Sequence, residues 1–253
     1  MSDLADCSTP GRIVLAHGFT QTARSWSHFE NLLTQSLPDI ETLAVDLPGH
    51  GTAAELRGDL WASAKYLADQ GGAAIYVGYS MGGRVALHAA LAYPGRVKAL
   101  VLIGATAGLD SASDRQQRRT ADDRLATRIE SIGVPSFIDQ WLANPLFKGL
   151  TDDQAQREDR LRNTPEGLAA SLRSTGTGTQ EPLWDRLSEI DIPVLVIAGE
   201  RDDKFRVIGK RLADGISKST FDVIPDAGHS VHLEQPAATA QALSGWYVDL
   251  LGE

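Results

Sequence analysis

Six short apolar runs punctuate the chain: Arg12 to Ala16, Thr42 to Val45, Ala74 to Val77, Lys98 to Ile103, Pro193 to Gly199, and a stretch near Phe221 to Ile224. Runs of this length, bounded by glycine, proline and aspartate, predict buried strands. Helical patterns lie between most of them, such as the small and apolar run from Arg84 to Leu91. Strands alternating with helices predict an α/β fold built on a mostly parallel, doubly wound sheet. One gap breaks the alternation. The fourth run ends at Gly104 and the next begins near Pro193, a stretch far too long for a crossover. It carries helical patterns instead, at Ala121 to Ile132, Val134 to Leu142, Asp152 to Arg162 and Pro165 to Arg173. Thr151 and Thr164 fit as N-caps, with Pro165 at a first helical position. The pattern predicts a core in two parts, residues 1–107 and 186–253, with a helical cap inserted at residues 108–185.

Composition narrows the class. A chain of 253 residues forms one domain, with its insertion, around a substantial core. The formal charge of −9 argues against nucleic acid and anionic membranes as partners. No apolar run approaches the roughly 18 residues of a membrane span. Met1 to Asp6 is acidic and lacks the basic and apolar regions of a signal peptide. Cys7 is the one cysteine, which excludes an internal disulfide and fits a reducing compartment. A cytoplasmic protein is the expectation. The six histidines are dispersed without ligand spacing, so no metal site is expected. The sequence leaves the oligomeric state open.

The candidate chemistry begins at Gly78-Tyr79-Ser80-Met81-Gly82-Gly83, a G-x-S-x-G pattern with a strand before it and a helix after it. Glycines let a strand turn into a helix so sharply that the serine sits on a strained, exposed corner, the nucleophile elbow of α/β hydrolases. In that fold an acid and then a histidine follow the serine in chain order. Asp202 follows the Pro193–Gly199 strand at its carboxyl end, and His229 follows Gly228 after the last strand. Asp203 and Glu200 compete for the role of acid, and His232 for that of base. One oxyanion donor would be the N–H of Met81. The other, from the loop after the first strand, would be that of Phe19. His17 and Gly18 read as shaping that loop, and Asp46 to Gly51 as a structural turn. Arginines crowd the cap at Arg115, Arg118, Arg119, Arg124 and Arg128, and again at Arg157, Arg160 and Arg162. Most read as a solvated face. Arg84 does not: it opens a buried helix at the end where the macrodipole disfavours a cation, so it needs an anionic partner. It is therefore a candidate ligand for a substrate carboxylate.

Taken together, His17-Gly18-Phe19, Asp46 to Gly51, Gly78 to Ala86, Gly199 to Phe205 and Ala227-Gly228-His229 resemble the 2-succinyl-6-hydroxy-2,4-cyclohexadiene-1-carboxylate (SHCHC) synthases of menaquinone biosynthesis, within the α/β-hydrolase superfamily. The cap strings Ala121 to Arg124, Gln140 to Phe147 and Leu161 to Asn163 match as well, so the resemblance covers nearly the whole chain. It implies an α/β-hydrolase fold, Ser80, Asp202 and His229 as triad, Phe19 and Met81 as oxyanion donors, and Tyr79 and Trp141 lining the pocket. It also implies Arg84, Arg124 and Arg162 as ligands of a small polycarboxylate substrate, with no cofactor. The reaction implied eliminates pyruvate from 2-succinyl-5-enolpyruvyl-6-hydroxy-3-cyclohexene-1-carboxylate. Two features depart from the family. Thr20-Gln21-Thr22 has no clear counterpart, and the start is too short for an N-terminal hairpin, so the sheet is expected to be shortened at that edge. The alternatives are a serine hydrolase of esters, thioesters or carbon–carbon bonds using the same triad, and a noncatalytic binding protein on this fold.

Overall fold

The computed structural model describes residues 11–252; Cys7 and the acidic start from Met1 to Asp6 lie outside them. Strands β1 (Arg12–Ala16), β2 (Glu41–Val45), β3 (Ala74–Tyr79), β4 (Val97–Ile103), β5 (Val194–Gly199) and β6 (Ser219–Ile224) form one sheet in the order β2-β1-β3-β4-β5-β6. Every pairing is parallel. All six apolar runs are therefore strands, and the fold is the α/β architecture expected. Among the described residues no further strand flanks β2.

The runs are apolar throughout because both faces of the sheet are covered. Helices α1 (Ser27–Ser36), α2 (Leu60–Gly71), α3 (Met81–Ala92), α8 (Asp203–Gly215) and α10 (Pro236–Gly252) supply the two layers. On one face Val14, Tyr76 and Leu102 meet Leu67 of α2, Val85 and Ala89 of α3 and Leu212 of α8. On the other, Ile13, Leu15 and Val101 meet Phe29 and Leu33 of α1 and Leu243 of α10. The chain leaves β1 toward one edge and β3 toward the other. That reversal opens a crevice at the carboxyl ends of β1 and β3, where open α/β sheets hold their ligands.

The insertion between β4 and β5 is helical: α4 (Ala112–Leu142), α5 (Asp152–Ala155), α6 (Arg157–Arg160) and α7 (Pro165–Thr175). Helix α4 starts at Ala112 rather than Ala121, with Ser111 accepting the Asp114 N–H as its cap. It is interrupted at Gly133 (φ 74°), just before Pro135, where the pattern breaks between Ile132 and Val134. The Asp152 to Arg162 pattern splits into two short helices because Gln156 takes a left-handed backbone (φ 50°). Thr151 makes a capping box with Gln154, and Thr164 caps α7. Ala126, Ile129, Phe137 and Ile138 of α4 pack on Leu168, Ala169 and Leu172 of α7, and Phe19 of the core packs against them. A short helix, α9 (Val231–Glu234), follows β6 and its loop.

Candidate active site

Ser80 sits between β3 and α3 with φ 51° and ψ −104°, a strained backbone for a side chain with a Cβ. Its N–H donates to the Ile103 carbonyl (2.9 Å), and its own carbonyl accepts from Arg84 N–H (3.1 Å). The turn is this tight because nothing larger than glycine fits around it. A Cβ on Gly82 would lie 2.1 Å from the Ala16 carbonyl oxygen, and one on Gly78 2.4 Å from that of Gly82.

His229 Nε2 faces Ser80 Oγ at 3.3 Å, and His229 Nδ1 faces Asp202 Oδ2 at 2.8 Å. A carboxylate only accepts, so Nδ1 carries the proton and Nε2 is left to accept from the serine. Asp202 is oriented by accepting the Phe205 N–H (3.1 Å) on its other oxygen, and the Phe205 ring covers the imidazole at 4.4 Å. The rivals lie elsewhere. The Asp203 side chain is 94% exposed beside Arg206. Glu200 accepts the Asp226 N–H. His232 is wedged between Trp26 and Tyr79, and burial drives its pKa down to about 3.

One positioning group has no sequence signal beyond its proximity. Glu234 accepts the Gly228 N–H (2.7 Å) on one oxygen and the Ser230 N–H (3.0 Å) on the other, gripping the backbone on both sides of His229. Ser230 Oγ in turn meets Tyr79 Oη at 2.8 Å. Tyr79 therefore lies beneath the triad, against His229 and His232, rather than lining the pocket. Trp141 likewise backs the Phe19 ring at 5.4 Å instead of forming the wall.

The N–H of Phe19, in the loop after β1, and that of Met81, first in α3, have no protein acceptor among the described residues. Both residues border a cavity of about 90 Å³ that also meets Ser80, Arg84, Thr106 and Arg118. Arg84 is 7% exposed, and among the described residues the one acceptor of its guanidinium is the Thr175 carbonyl (2.5 Å). Burial foremost, then nearby Arg118, lowers its pKa to about 10, so it remains a cation at neutral pH.

Arg124 and Arg162 are not at this cavity. The inward face of α4 carries Asp122, Ala126 and Ile129, which turns Arg124 outward. Arg118, one turn before Asp122, is itself exposed but borders the cavity and pairs with the buried Asp122 (2.8 Å). Sequence alone groups Arg118 with the solvated arginines; its i,i+4 phase with Asp122 and Ala126 is the signal that sets it apart. Arg162 is exposed because the segment after α6 buries Arg160 and Asn163 instead.

The elbow, the Asp–His–Ser chain and the sheet order define a class, and the comparisons agree with it. A model described as the alpha/beta hydrolase family matches residues 13–242. The SHCHC synthase of Escherichia coli O1:K1 / APEC is 33% identical over 240 residues, covering 92% of each chain. A Bacillus subtilis (strain 168) protein, provisionally named for the same synthase, is 39% identical over 248 residues, 92% of this chain and 88% of that one. The solved structure of MenH from S. aureus matches with a TM-score of 0.87 at 30% identity, over 97% of this chain and 96% of that one. The chain belongs to the SHCHC synthase family of α/β hydrolases.

Proposed function

We propose that this chain eliminates pyruvate from 2-succinyl-5-enolpyruvyl-6-hydroxy-3-cyclohexene-1-carboxylate, giving SHCHC in menaquinone biosynthesis, with Ser80, His229 and Asp202 as its proton-transfer chain. Family membership supports the reaction. The observation that carries the site assignment is a buried, under-coordinated Arg84 beside a serine already aimed at a histidine.

His229 draws the proton from Ser80, and the serine oxygen takes the proton from the ring carbon alpha to the succinyl carbonyl. Asp202 holds the imidazole tautomer and stabilises its charged form. The carbonyl oxygen gains charge as the C–H bond breaks, and the N–H groups of Phe19 and Met81 hold it. The ring C–O bond then breaks, and the enolpyruvyl group leaves, takes up a proton and tautomerises to pyruvate. Arg84 and Arg118 bind substrate carboxylates, for which guanidinium forks are suited. The cavity is far below the roughly 300 to 1,000 Å³ of ordinary ligand pockets, so substrate enters when the cap spanning residues 108–185 moves outward. Among the described residues no helix is long and apolar enough to cross a membrane. A cytoplasmic site of action rests on the single cysteine and the acidic composition.

Arg84→Ala or Arg118→Ala removes charge-assisted bonds worth about 1.5 to 3 kcal/mol, so kcat/KM for pyruvate release should fall roughly 10- to 150-fold. Arg124→Ala and Arg162→Ala, on the outer surface, should change little. Equal losses in all four would indicate general electrostatic attraction instead of a clamp.

The same triad would serve a serine hydrolase, and isotope labelling separates the two. In ¹⁸O-water, sampled before pyruvate's carbonyl exchanges, the elimination leaves the cyclohexadiene product unlabelled and forms pyruvate in equal amount. Simple p-nitrophenyl esters should be poor substrates, because they leave buried guanidinium unpaired. A rapid acyl-enzyme burst on Ser80 with those esters, together with no pyruvate from the pathway substrate, would establish the hydrolase.

A further inference from the structure

Thr20 is the residue after the oxyanion donor Phe19, and it holds a left-handed backbone (φ 70°) that a β-branched side chain rarely adopts. Such strain persists only where the surroundings over-determine it. Here all three polar atoms of Thr20 are engaged. Its N–H donates to His50 Nε2 (3.4 Å), in the turn after β2. Its carbonyl accepts from Asn163 Nδ2 (2.7 Å), and its hydroxyl accepts from Arg160 Nη1. Two of these three partners belong to the cap.

Arg160 itself needs an explanation. Its side chain is 1% exposed, and among the described residues no carboxylate lies within ion-pair distance of it. Its contacts are the Ala155 carbonyl (2.8 Å), Thr20 Oγ1 and the Phe147 ring (5.8 Å). A buried, unpaired guanidinium is costly to the folded state. The neighbouring cap residues grip the same loop. Asp159 accepts both the N–H (3.3 Å) and the hydroxyl (2.6 Å) of Thr22. Asn163 also accepts the Gly51 N–H (3.0 Å), tying the loop after β2 to the same point.

We infer that Arg160 is a positioning residue that, with Asn163, clamps Thr20 from the cap and so aims the Phe19 N–H at the developing oxyanion. The cap then does more than cover the substrate: seating it completes the oxyanion hole. Thr20-Gln21-Thr22 is the loop this clamp holds. The inference rests on the oxyanion role given above to Phe19 and Met81.

The test uses Arg160→Met, Arg160→Lys and Thr20→Val. The last keeps the β-branched shape while removing the hydroxyl. Each is measured for kcat and KM of pyruvate release, for melting temperature, and for inhibition by phenylboronic acid. That probe accepts the Ser80 oxygen at boron and passes the serine proton to His229, leaving a boronate oxygen at the Phe19 and Met81 N–H groups. Losing one oxyanion donor costs about 10² to 10³ in kcat, which bounds the effect from above. Arg160→Met and Thr20→Val should each lower kcat at least about tenfold within that bound, leave KM within about threefold, and weaken the boronic acid in parallel. Arg160→Lys should recover most of the loss, and the double variant should be no worse than Arg160→Met alone. A rise in KM at constant kcat, additive losses in the double variant, or unchanged boronic-acid affinity in folded Arg160→Met would overturn the clamp. If wild-type protein binds phenylboronic acid in this Arg160-dependent way but releases no pyruvate, the clamp stands and the synthase reading fails. If it releases pyruvate and Arg160→Met behaves as wild type, the reverse holds.

Discussion

Asp202→Asn is expected to lower turnover by about 10⁴-fold while leaving the melting temperature nearly unchanged, the magnitude seen when a triad acid is made neutral in serine proteases. An amide at this position keeps the shape but presents an N–H₂ or a neutral carbonyl to His229 Nδ1. The imidazole then loses its preference for carrying the proton on Nδ1, and Nε2 is no longer reliably free to accept from Ser80 at 3.3 Å. Ser80→Ala and His229→Ala should nearly abolish pyruvate release for the same reason, since each removes a group the proton must pass through. Asp203→Asn is the control, because that side chain points into solvent beside Arg206. A dead Asp203→Asn beside an active Asp202→Asn would put the acid one residue further along.

Stability should fall steadily as pH drops below about 6.5. His50, His88 and His232 are buried, and burial is the largest cause that drives their pKa values from 6.5 down to about 3, about 4 and about 3. Above the unfolded value both forms of the chain keep these rings neutral, and the stability is fully present. Below it the unfolded chain takes up protons that the folded chain refuses, so the folded state loses ground until the pH reaches the depressed values. At about pH 5.5 each ring costs about 1.4 kcal/mol, roughly 4 kcal/mol for the three, a large part of an ordinary domain's stability. His17, whose pKa burial also lowers, acts in the same direction. Urea midpoints compared at pH 7.5 and 5.5 measure the effect. His232→Phe, which suits the slot between Trp26 and Tyr79, should flatten the dependence by about one third. A midpoint that does not move across that range would mean the folded protein admits the protons.

Features that depend on near neighbours in the chain can be read without the fold. The strands were legible because a doubly covered sheet demands unbroken apolar runs. The elbow was legible because a serine between Gly78 and Gly82 is a local steric solution. The order of Ser80, Asp202 and His229 was legible because each stands at the carboxyl end of a recognisable strand. Side-chain facing was a different matter. Arg118 and Arg124 are equally polar and six positions apart, and only the phase of α4 against α7 and the core puts one at the rim of the cavity and the other wholly on the outer surface. That phase depends on where the helix begins, at Ala112, and the hydrophobic pattern placed the start too late. Tyr79 precedes Ser80 in the chain and Trp141 lies against Phe19 in space, yet packing set both behind the cavity. The grip of Arg160 and Asn163 on Thr20 spans 140 and 143 positions of chain. No local pattern encodes a contact at that separation. It exists because burying the cap on the sheet brings polar groups together that must then satisfy one another out of water.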